Sequence, residues 1–210
     1  GGDAWRSAYH SFSPHAGVRV LCLDAFDESI VGPSTAGCKK GAALMEARNP
    51  NDTSAPGDWH KGLEGLDRRY VPYNGAVSER QLAWARGEAT EAGEKGQCVF
   101  LLIHTPVHPG TTEPAALLWN YQDVLKLCAD FPAVVATISG HSHVGGYAQD
   151  ENGVHHINVE APIECPPDST AFATFLVFSD QIIINGRGVV PSRTLPFRTP
   201  NQLGKRPLLQ

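Results

Sequence analysis

The chain has 210 residues, of which 41% are hydrophobic and 19% charged, with a formal net charge of −5. This length allows one domain with a sizeable core, and this composition is that of an ordinary globular protein. The negative charge argues against a nucleic-acid partner. No apolar run approaches the roughly 20 residues that span a bilayer, so no membrane partner is expected.

The five cysteines form an odd set without any Cys-x-x-Cys spacing, and three of them lie inside apolar stretches. Such a set indicates buried free thiols in a reducing compartment rather than a disulfide framework. A cytoplasmic location is therefore expected. The cysteines are Cys22, Cys38, Cys98, Cys128 and Cys165.

The first predicted strand is Val18–Leu23, which follows a polar, turn-rich segment over residues 1–16. Its almost continuous apolar character is typical of a parallel strand covered on both faces, and it ends at Asp24. A short helix is predicted over residues 39–48, because an Asn-Pro pair follows and stops it.

Residues 49–77 contain many Asn, Asp, Gly and Pro and show no clean period. A stretch of this length without regular structure is uncommon in a compact domain and is usually functional or mobile. Its aromatic side chains are expected either to stack on a flat ligand or to form a small cluster that holds the loop in place. These residues are Trp59, Tyr70 and Tyr73.

A capping box formed by Ser78 and Gln81 predicts a helix from there to about residue 91. In this motif the serine side chain accepts a hydrogen bond from the backbone of the fourth residue. Leu82 and Trp84 give the helix its apolar side.

A βαβ unit is predicted next. A buried strand over residues 98–103 leads to a helix over residues 113–129, with Pro114 in its first turn and an apolar stripe at helical spacing. A second buried strand covers residues 133–139. The crossover is expected to be right-handed and the two strands parallel.

The pattern then changes to strands with little helix between them. Strands are predicted over residues 154–159, 171–178 and 181–185, and the short turn between the last two indicates a hairpin. The tail from Pro191 onwards is predicted to be irregular. The chain is therefore an α/β protein with one mixed sheet, or with two packed sheets and helices outside.

Three histidines follow the strands of the βαβ unit. His104 comes directly after the first strand, and His141 and His143 come after the second. Parallel strands place their carboxyl ends at the same edge of a sheet, which is where open α/β sheets bind ligands. Neutral imidazole is the commonest nitrogen ligand of transition metals, and a His-x-His turn can serve two ions about 3.5–4 Å apart. The sequence therefore predicts a two-metal site.

The remaining histidines receive simpler interpretations. Three lie in polar loops and are expected to be solvated, namely His10, His15 and His60. His155 and His156 are adjacent on a strand, so one is expected in the core and the other outside. His108 follows His104 closely and could line the cleft.

The sequence resembles a known family at these positions. Gly140-His141-Ser142-His143 resembles the GHxH motif of the calcineurin-like metallophosphoesterases, and His104-Thr105-Pro106 resembles their upstream HxP motif. Further segments resemble the manganese-dependent ADP-ribose/CDP-alcohol diphosphatases of that superfamily. These segments include Tyr73-Asn74-Gly75, Leu118-Trp119-Asn120-Tyr121, Gly145-Gly146-Tyr147, Gly153-Val154-His155-His156, Pro167-Asp168-Ser169 and Gly186-Arg187-Gly188.

The resemblance implies an αββα sandwich of two mixed sheets with a dimetal centre between the sheet edges. It implies two divalent metal ions, of which Mn²⁺ is the expected metal and Mg²⁺, Zn²⁺ and Fe are the alternatives. It also implies that His104 and His141 bind one ion and that His143 binds the other. The implied reaction hydrolyses ADP-ribose to AMP and ribose 5-phosphate, or CDP-choline to CMP and phosphocholine, through a metal-activated hydroxide. Tyr73 and Tyr147 are candidate contacts for this small-molecule nucleotide substrate.

The sequence departs from the family pattern in one respect. The family's Asp-x-His, its Gly-Asp with a bridging Asp, and its Gly-Asn-His are not found, so no catalytic acid histidine is assigned. The resemblance then implies that residues 1–210 are one metallophosphoesterase domain without its N-terminal part. Three neutral imidazoles do not offset the charge of two divalent ions, and Mn²⁺ favours carboxylate oxygens. Weak metal binding and little turnover are expected of this chain alone.

Two other functions are compatible with these residues. The first is another calcineurin-like phosphoesterase, such as a phosphodiesterase or a purple acid phosphatase. The second is a metal-free scaffold that retains the β core without catalysis. A monomer is expected in each case.

Overall fold

The computed structural model describes residues 8–32 and 34–198. The predicted irregular character of residues 1–7 and 199–210 lies outside the described residues. Within the described residues, no helix is long and apolar enough to cross a membrane. All five cysteines are free thiols as predicted, but only Cys98 and Cys128 are buried, and the other three are partly exposed.

A six-stranded mixed sheet forms the centre of the fold, in the order β1-β2-β3-β4-β6-β5. The four inner strands are parallel, and an antiparallel strand covers each edge. Parallel inner strands need long crossover connections, which contain helices between β2 and β3 and between β3 and β4, and contain β5 between β4 and β6. The strands are β1 (His10–His15), β2 (Val18–Leu23), β3 (Cys98–Ile103), β4 (Val134–Ser139), β5 (Gly146–Gln149) and β6 (His155–Asn158).

A smaller antiparallel sheet packs against the larger one. It contains β7 (Ala171–Val177), β8 (Gln181–Gly188) and β9 (Arg193–Pro196). The apolar layer between the sheets comprises side chains such as Val20, Phe100, Ile182 and Leu195. The predicted hairpin of β7 and β8 is confirmed by their antiparallel pairing.

Helices cover the other face of the larger sheet. These helices are α2 (Glu79–Glu94) and α3 (Tyr121–Asp130), whereas α1 (Thr35–Arg48) packs through Met45 in a separate cluster with Tyr70 and Trp119. Side chains of α2 and α3, such as Leu82 and Val124, pack on Leu21 and Leu101 of the sheet. The strand side chains alternate between this layer and the layer between the sheets, as the pleat requires. The predicted α/β architecture of two packed sheets is thus confirmed.

The predicted βαβ unit is present as β3, α3 and β4, but its helix is shorter than predicted. The predicted helix over residues 113–129 is wrong in its first half, which contains a 3₁₀ turn at Pro114–Ala116 and then extended backbone at Leu117. The amides of Leu118 and Trp119 donate to the carbonyls of Pro106 and Gly75 instead of to a preceding helical turn. Tertiary hydrogen bonds therefore replace the helical ones.

Three further boundaries differ from the predictions. Helix α1 begins at Thr35 rather than at residue 39, since Ser34 caps it and its glycines weaken the helical signal. Residues 10–15 form the edge strand β1 rather than a turn-rich segment. The tail after Pro191 is not irregular throughout, because Arg193–Pro196 pairs with β8.

The interpretation of the paired histidines on β6 is wrong in one point. His155 and His156 do point to opposite faces, but both are buried, because the sheet is covered on each side. In the long stretch 49–77 the only regular element is the 3₁₀ helix Gly65–Arg69. Tyr70 lies in a small buried cluster with Met45, Ala76 and Trp119, which confirms the cluster interpretation for that residue.

Candidate metal centre

The structure brings together two of the three predicted ligands. His104 follows β3 and His141 lies two residues beyond the end of β4, at the carboxyl edge of the larger sheet. The His104 Nε2 and His141 Nδ1 atoms are 3.1 Å apart, and the two rings meet edge to face. The backbone amide of Gly140 donates to the His104 carbonyl, which ties the two loops together directly below the rings.

The backbone turns sharply at His141. Its φ of 68° is the only positive value among the described non-glycine residues. Residues with a β-carbon rarely adopt this left-handed conformation, and where they do the position is often functional. The turn continues with the amide of Ser142 donating to the carbonyl of Gly140. It places the imidazole of His141 over the strand end, opposite His104.

Asn74 is a member of the site to which the sequence assigned no role. Its Oδ1 lies 2.8 Å from His141 Nε2, so both ring nitrogens of His141 have a partner. The side chain of Asn74 is fully buried, and its Nδ2 donates to the carbonyls of Arg69 and Ala115. In the sequence, only the resemblance of Tyr73-Asn74-Gly75 to a family segment points to this residue.

Burial keeps both imidazoles neutral. It lowers the pKa of His141, and the neighbouring His104 lowers it further, to about 4. Burial also lowers the pKa of His104. At neutral pH each ring therefore carries one hydrogen and one lone pair, which is the form that binds a metal ion.

His143 shares the turn but has a different environment. Its ring is half-exposed, and its Nδ1 lies 3.0 Å from Glu164 Oε1. The His143 carbonyl accepts from the amide of Ala161. Between the two histidines, Ser142 donates through Oγ to Glu113 and accepts at its carbonyl from Asn158. The whole turn is thus anchored to two other loops.

The two predicted substrate contacts lie in different places. The Tyr73 ring lies 5.9 Å from the His141 ring and is 38% exposed, and its hydroxyl is 3.2 Å from His60 Nε2. The Tyr147 hydroxyl instead contacts His155 Nδ1, and the Arg193 guanidinium lies over its ring. The structure therefore places Tyr73 beside the histidine pair and Tyr147 against the smaller sheet. His60, expected to be solvated, is held by Tyr73.

His108 does not join the pair. Its ring stacks on His156 with the centroids 4.7 Å apart, and its Nδ1 accepts from the amide of Gly110. Asp24 follows β2 at the same sheet edge, and its carboxylate accepts from the backbone amide of Phe26. Burial raises the pKa of Asp24.

The geometry of the pair fits a shared metal ion. Two nitrogen ligands at about 2.1 Å from one ion and at right angles to each other are about 3 Å apart, close to the observed 3.1 Å. Within residues 8–32 and 34–198, no group of three or more His, Cys, Asp or Glu side chains is close enough together to hold a metal ion. Among the described residues, the candidate metal site thus consists of two imidazoles without a clustered carboxylate.

Comparison with known proteins identifies relatives, although no family model matches the chain. The manganese-dependent ADP-ribose/CDP-alcohol diphosphatase of Xenopus tropicalis is 39% identical over 202 residues, which are 95% of this chain and 57% of that protein. The protein of the same name from Oryza sativa subsp. japonica is 40% identical over 85% of this chain and 56% of its own length. The protein of this name from Homo sapiens is 35% identical over 91% of this chain and 55% of its own length.

A solved structure has the same fold. The dimetal phosphatase from Danio rerio superposes with a TM-score of 0.84 at 34% identity, over 90% of this chain and 60% of that one. The chain therefore spans a little more than half the length of the relatives that it matches.

Proposed function

Since the chain is a relative of the manganese-dependent ADP-ribose/CDP-alcohol diphosphatases and has the fold of a dimetal phosphatase, we propose that the protein containing it hydrolyses nucleoside-diphosphate-linked sugars and alcohols. The substrates are ADP-ribose, giving AMP and ribose 5-phosphate, and CDP-choline, giving CMP and phosphocholine. The observation that carries the proposal is the His104–His141 pair at the carboxyl edge of the sheet.

The proposed cofactor is a pair of Mn²⁺ ions. When bound, such a pair supplies an activated water and neutralises charge on the phosphoryl oxygens. His104 and His141 would hold one ion through their neutral imidazoles. We assign His143 to the other ion. Its Nδ1 contacts the Glu164 carboxylate, which orients the ring and leaves Nε2 to bind metal, as is common for metal-bound histidines.

Tyr73 is the proposed contact for the nucleoside. Its ring centroid lies 5.9 Å from that of His141 and 6.4 Å from that of Trp59. A half-exposed aromatic surface beside a phosphate site suits a flat base, because bases stack on aromatic rings. Tyr147 is not assigned to the substrate, since its hydroxyl is already paired with His155.

Two imidazoles without a carboxylate bind a divalent ion weakly, because Mn²⁺ favours oxygen ligands. We therefore propose that this chain alone binds Mn²⁺ weakly and turns over little substrate. The carboxylate ligands and the acid that protonates the leaving group are assigned to the remainder of the protein.

The test compares a longer protein that contains this chain with the 210-residue chain, using ADP-ribose and CDP-choline with Mn²⁺ and with a chelator. We expect Mn²⁺-dependent hydrolysis by the longer protein and little by the chain. His141→Ala in the longer protein should lower kcat/KM by more than the 10–100-fold that is typical of outer-shell changes. The control is His15→Ala, which removes an exposed histidine far from the site. Equal activity of the two variants, or hydrolysis that survives the chelator, would contradict the proposal.

A further inference from the structure

Asn74 has a side chain whose orientation is fixed by its surroundings. Its Nδ2 lies 2.8 Å from the carbonyl of Arg69 and 2.7 Å from that of Ala115. Carbonyl oxygens only accept hydrogen bonds, so the atom facing both of them must be the amide nitrogen. Turning the amide over would bring its oxygen against two carbonyl oxygens inside the protein. Oδ1 is therefore the atom that faces His141.

This orientation determines which ring nitrogen of His141 carries the hydrogen. Oδ1 of Asn74 has no hydrogen to give, so the 2.8 Å contact requires His141 Nε2 to donate. A neutral imidazole has a single N–H, and its other nitrogen is then an acceptor. The lone pair of His141 consequently lies on Nδ1, the atom 3.1 Å from His104 Nε2.

We propose that Asn74 is a positioning residue that locks His141 in the tautomer with hydrogen on Nε2, and thereby keeps the Nδ1 lone pair directed at the position of the metal ion. Asn74 acts through His141 and need not touch metal or substrate. The inference rests on the proposed role of His141 as a ligand. Without Asn74 the hydrogen can move to Nδ1, and that form cannot bind an ion on the His104 side.

The loop holds Asn74 in place independently of His141. The backbone N–H of Asn74 donates to the carbonyl of Val71, and the backbone carbonyl of Gly75 accepts from the backbone N–H of Trp119. A β-carbon on Gly75 would lie 2.4 Å from the carbonyl oxygen of Ala25, so only glycine allows this close approach. The acceptor for Nε2 is thus set by the fold before the imidazole meets a metal ion.

The direct test measures the tautomer by long-range proton–nitrogen NMR correlation in the metal-free chain, with ¹⁵N-labelled histidine and His141→Gln to assign the signals. In the unmodified chain we expect His141 to carry its hydrogen on Nε2. Asn74→Leu keeps the size of the side chain but removes the acceptor, and should shift hydrogen to Nδ1. Asn74→Asp keeps an acceptor and should retain the original tautomer, although both variants lose the donations to Arg69 and Ala115.

Asn49 provides a matched control elsewhere in the same part of the chain. It is also buried, and its Nδ2 also donates to two carbonyls, those of Trp59 and Tyr70. Its Oδ1 accepts from Asn51 rather than from a histidine. Asn49→Leu should therefore weaken the loop in the same way and leave the His141 signals unchanged.

A second measurement reads metal affinity by calorimetry with Zn²⁺, which binds nitrogen ligands more tightly than Mn²⁺. We expect Asn74→Leu to weaken Zn²⁺ binding about 10–100-fold relative to Asn49→Leu. Hydrogen on Nδ1 of His141 in the unmodified chain would overturn the inference even if Asn74→Leu does not fold. An unchanged tautomer in a folded Asn74→Leu would do the same. Because the tautomer is read without metal or substrate, a failed hydrolysis assay would count against the proposed function and not against this inference.

Discussion

At the scale of single residues, the two adjacent histidines of β6 are polar side chains that are buried in the core and fully hydrogen-bonded there. His156 contacts the Thr137 hydroxyl through Nδ1 and Asp150 through Nε2. His155 contacts the Tyr147 hydroxyl and the carbonyl of Pro196. Each of the four ring nitrogens has a partner, which is what burial of a polar group requires.

These buried histidines make the stability of the fold depend on pH. Burial lowers the pKa of His156 to about 4, against about 6.5 in an unfolded chain. The facing Asp150 carboxylate opposes this shift, whereas the neighbouring His108 and His155 add to it. Below pH 6.5 the unfolded chain therefore binds a proton that the folded chain excludes. The free energy of unfolding should fall between about pH 6.5 and 4, by at most about 3 kcal/mol from this residue, and stay level above.

The measurement is urea unfolding at several pH values between 7.5 and 4.5. His156→Gln should lose less stability over this range than the unmodified chain, because its side chain does not titrate. His15→Gln, which replaces an exposed histidine, serves as the control and should keep the original pH dependence. Identical pH dependence in His156→Gln and the unmodified chain would contradict the prediction.

The candidate site was predictable only in part. His104 and His141 could be paired from the sequence, because each follows a strand of one parallel unit. Asn74 could not, since it lies in a stretch without periodicity and its partner is 67 positions away. The ring orientation of His143 towards Glu164 depends on the path of the 3₁₀ turn Pro162–Glu164, for which the sequence carries no clear signal.

At the scale of the elements, the start of α2 is joined to the loop after β2. Ser78 accepts from the amide of Gln81 and also donates to the carboxylate of Asp27. The Gln81 side chain does not reach back to the cap as in a complete capping box. It exchanges two hydrogen bonds with the backbone of Asp24 instead. The helix start therefore supports the sheet edge that bears the histidines.

Removing this cap should cost more than removing an ordinary one. Loss of an N-cap side chain typically costs about 1 kcal/mol, and Ser78→Ala also removes a donor to the Asp27 carboxylate, which keeps a longer bond from Gln81 Nε2. We expect about 2 kcal/mol for Ser78→Ala in urea unfolding, against about 1 kcal/mol for Ser34→Ala, which removes only the cap of α1. Equal losses would show that the Asp27 contact contributes nothing.

Elements with a strong local signal were predicted correctly, and elements made by tertiary contacts were not. The inner strands β2, β3 and β4 are continuous apolar runs, and α2 has both a cap and an apolar side. The edge strand β9 has four residues and one proline, so only its pairing with β8 makes it a strand. The segment before α3 carried a helical pattern, but its amides are used by neighbouring loops.

At the scale of the whole molecule, distant segments of the chain are joined around α3. The guanidinium of Arg198, just after β9, donates to the carbonyls of Cys128, Phe131 and Val134. The last carbonyls of a helix lack partners within the helix, so this arginine satisfies groups that would otherwise be unpaired. The smaller sheet and the helical layer are thereby connected directly, across the end of the larger sheet.

The pairing of β2 with β3 has a consequence for the order of folding. Val18 pairs with Cys98, so this pairing closes a long loop that contains α1, α2 and the stretch 49–77. The β3-α3-β4 unit closes a much shorter one and should form first, because long loops cost more entropy to close. Val134→Ala in β4 should slow refolding, and Val18→Ala in β2, equally buried, should mainly speed unfolding. Stopped-flow measurements of the refolding and unfolding rates test this order. Slower refolding of Val18→Ala, with faster unfolding of Val134→Ala, would show instead that β2 docks early.

The same order applies to the metal centre during folding. His104 lies inside the early unit and His141 just after it, so the two should meet as soon as β3 and β4 pair, whereas Asn74 belongs to the late-closing segment. For part of the folding time the two imidazoles are adjacent but their hydrogens are free to exchange positions. With the roles proposed for these residues, the candidate centre would acquire its shape before its affinity, and a metal ion captured early would be held by a site that Asn74 has not yet completed.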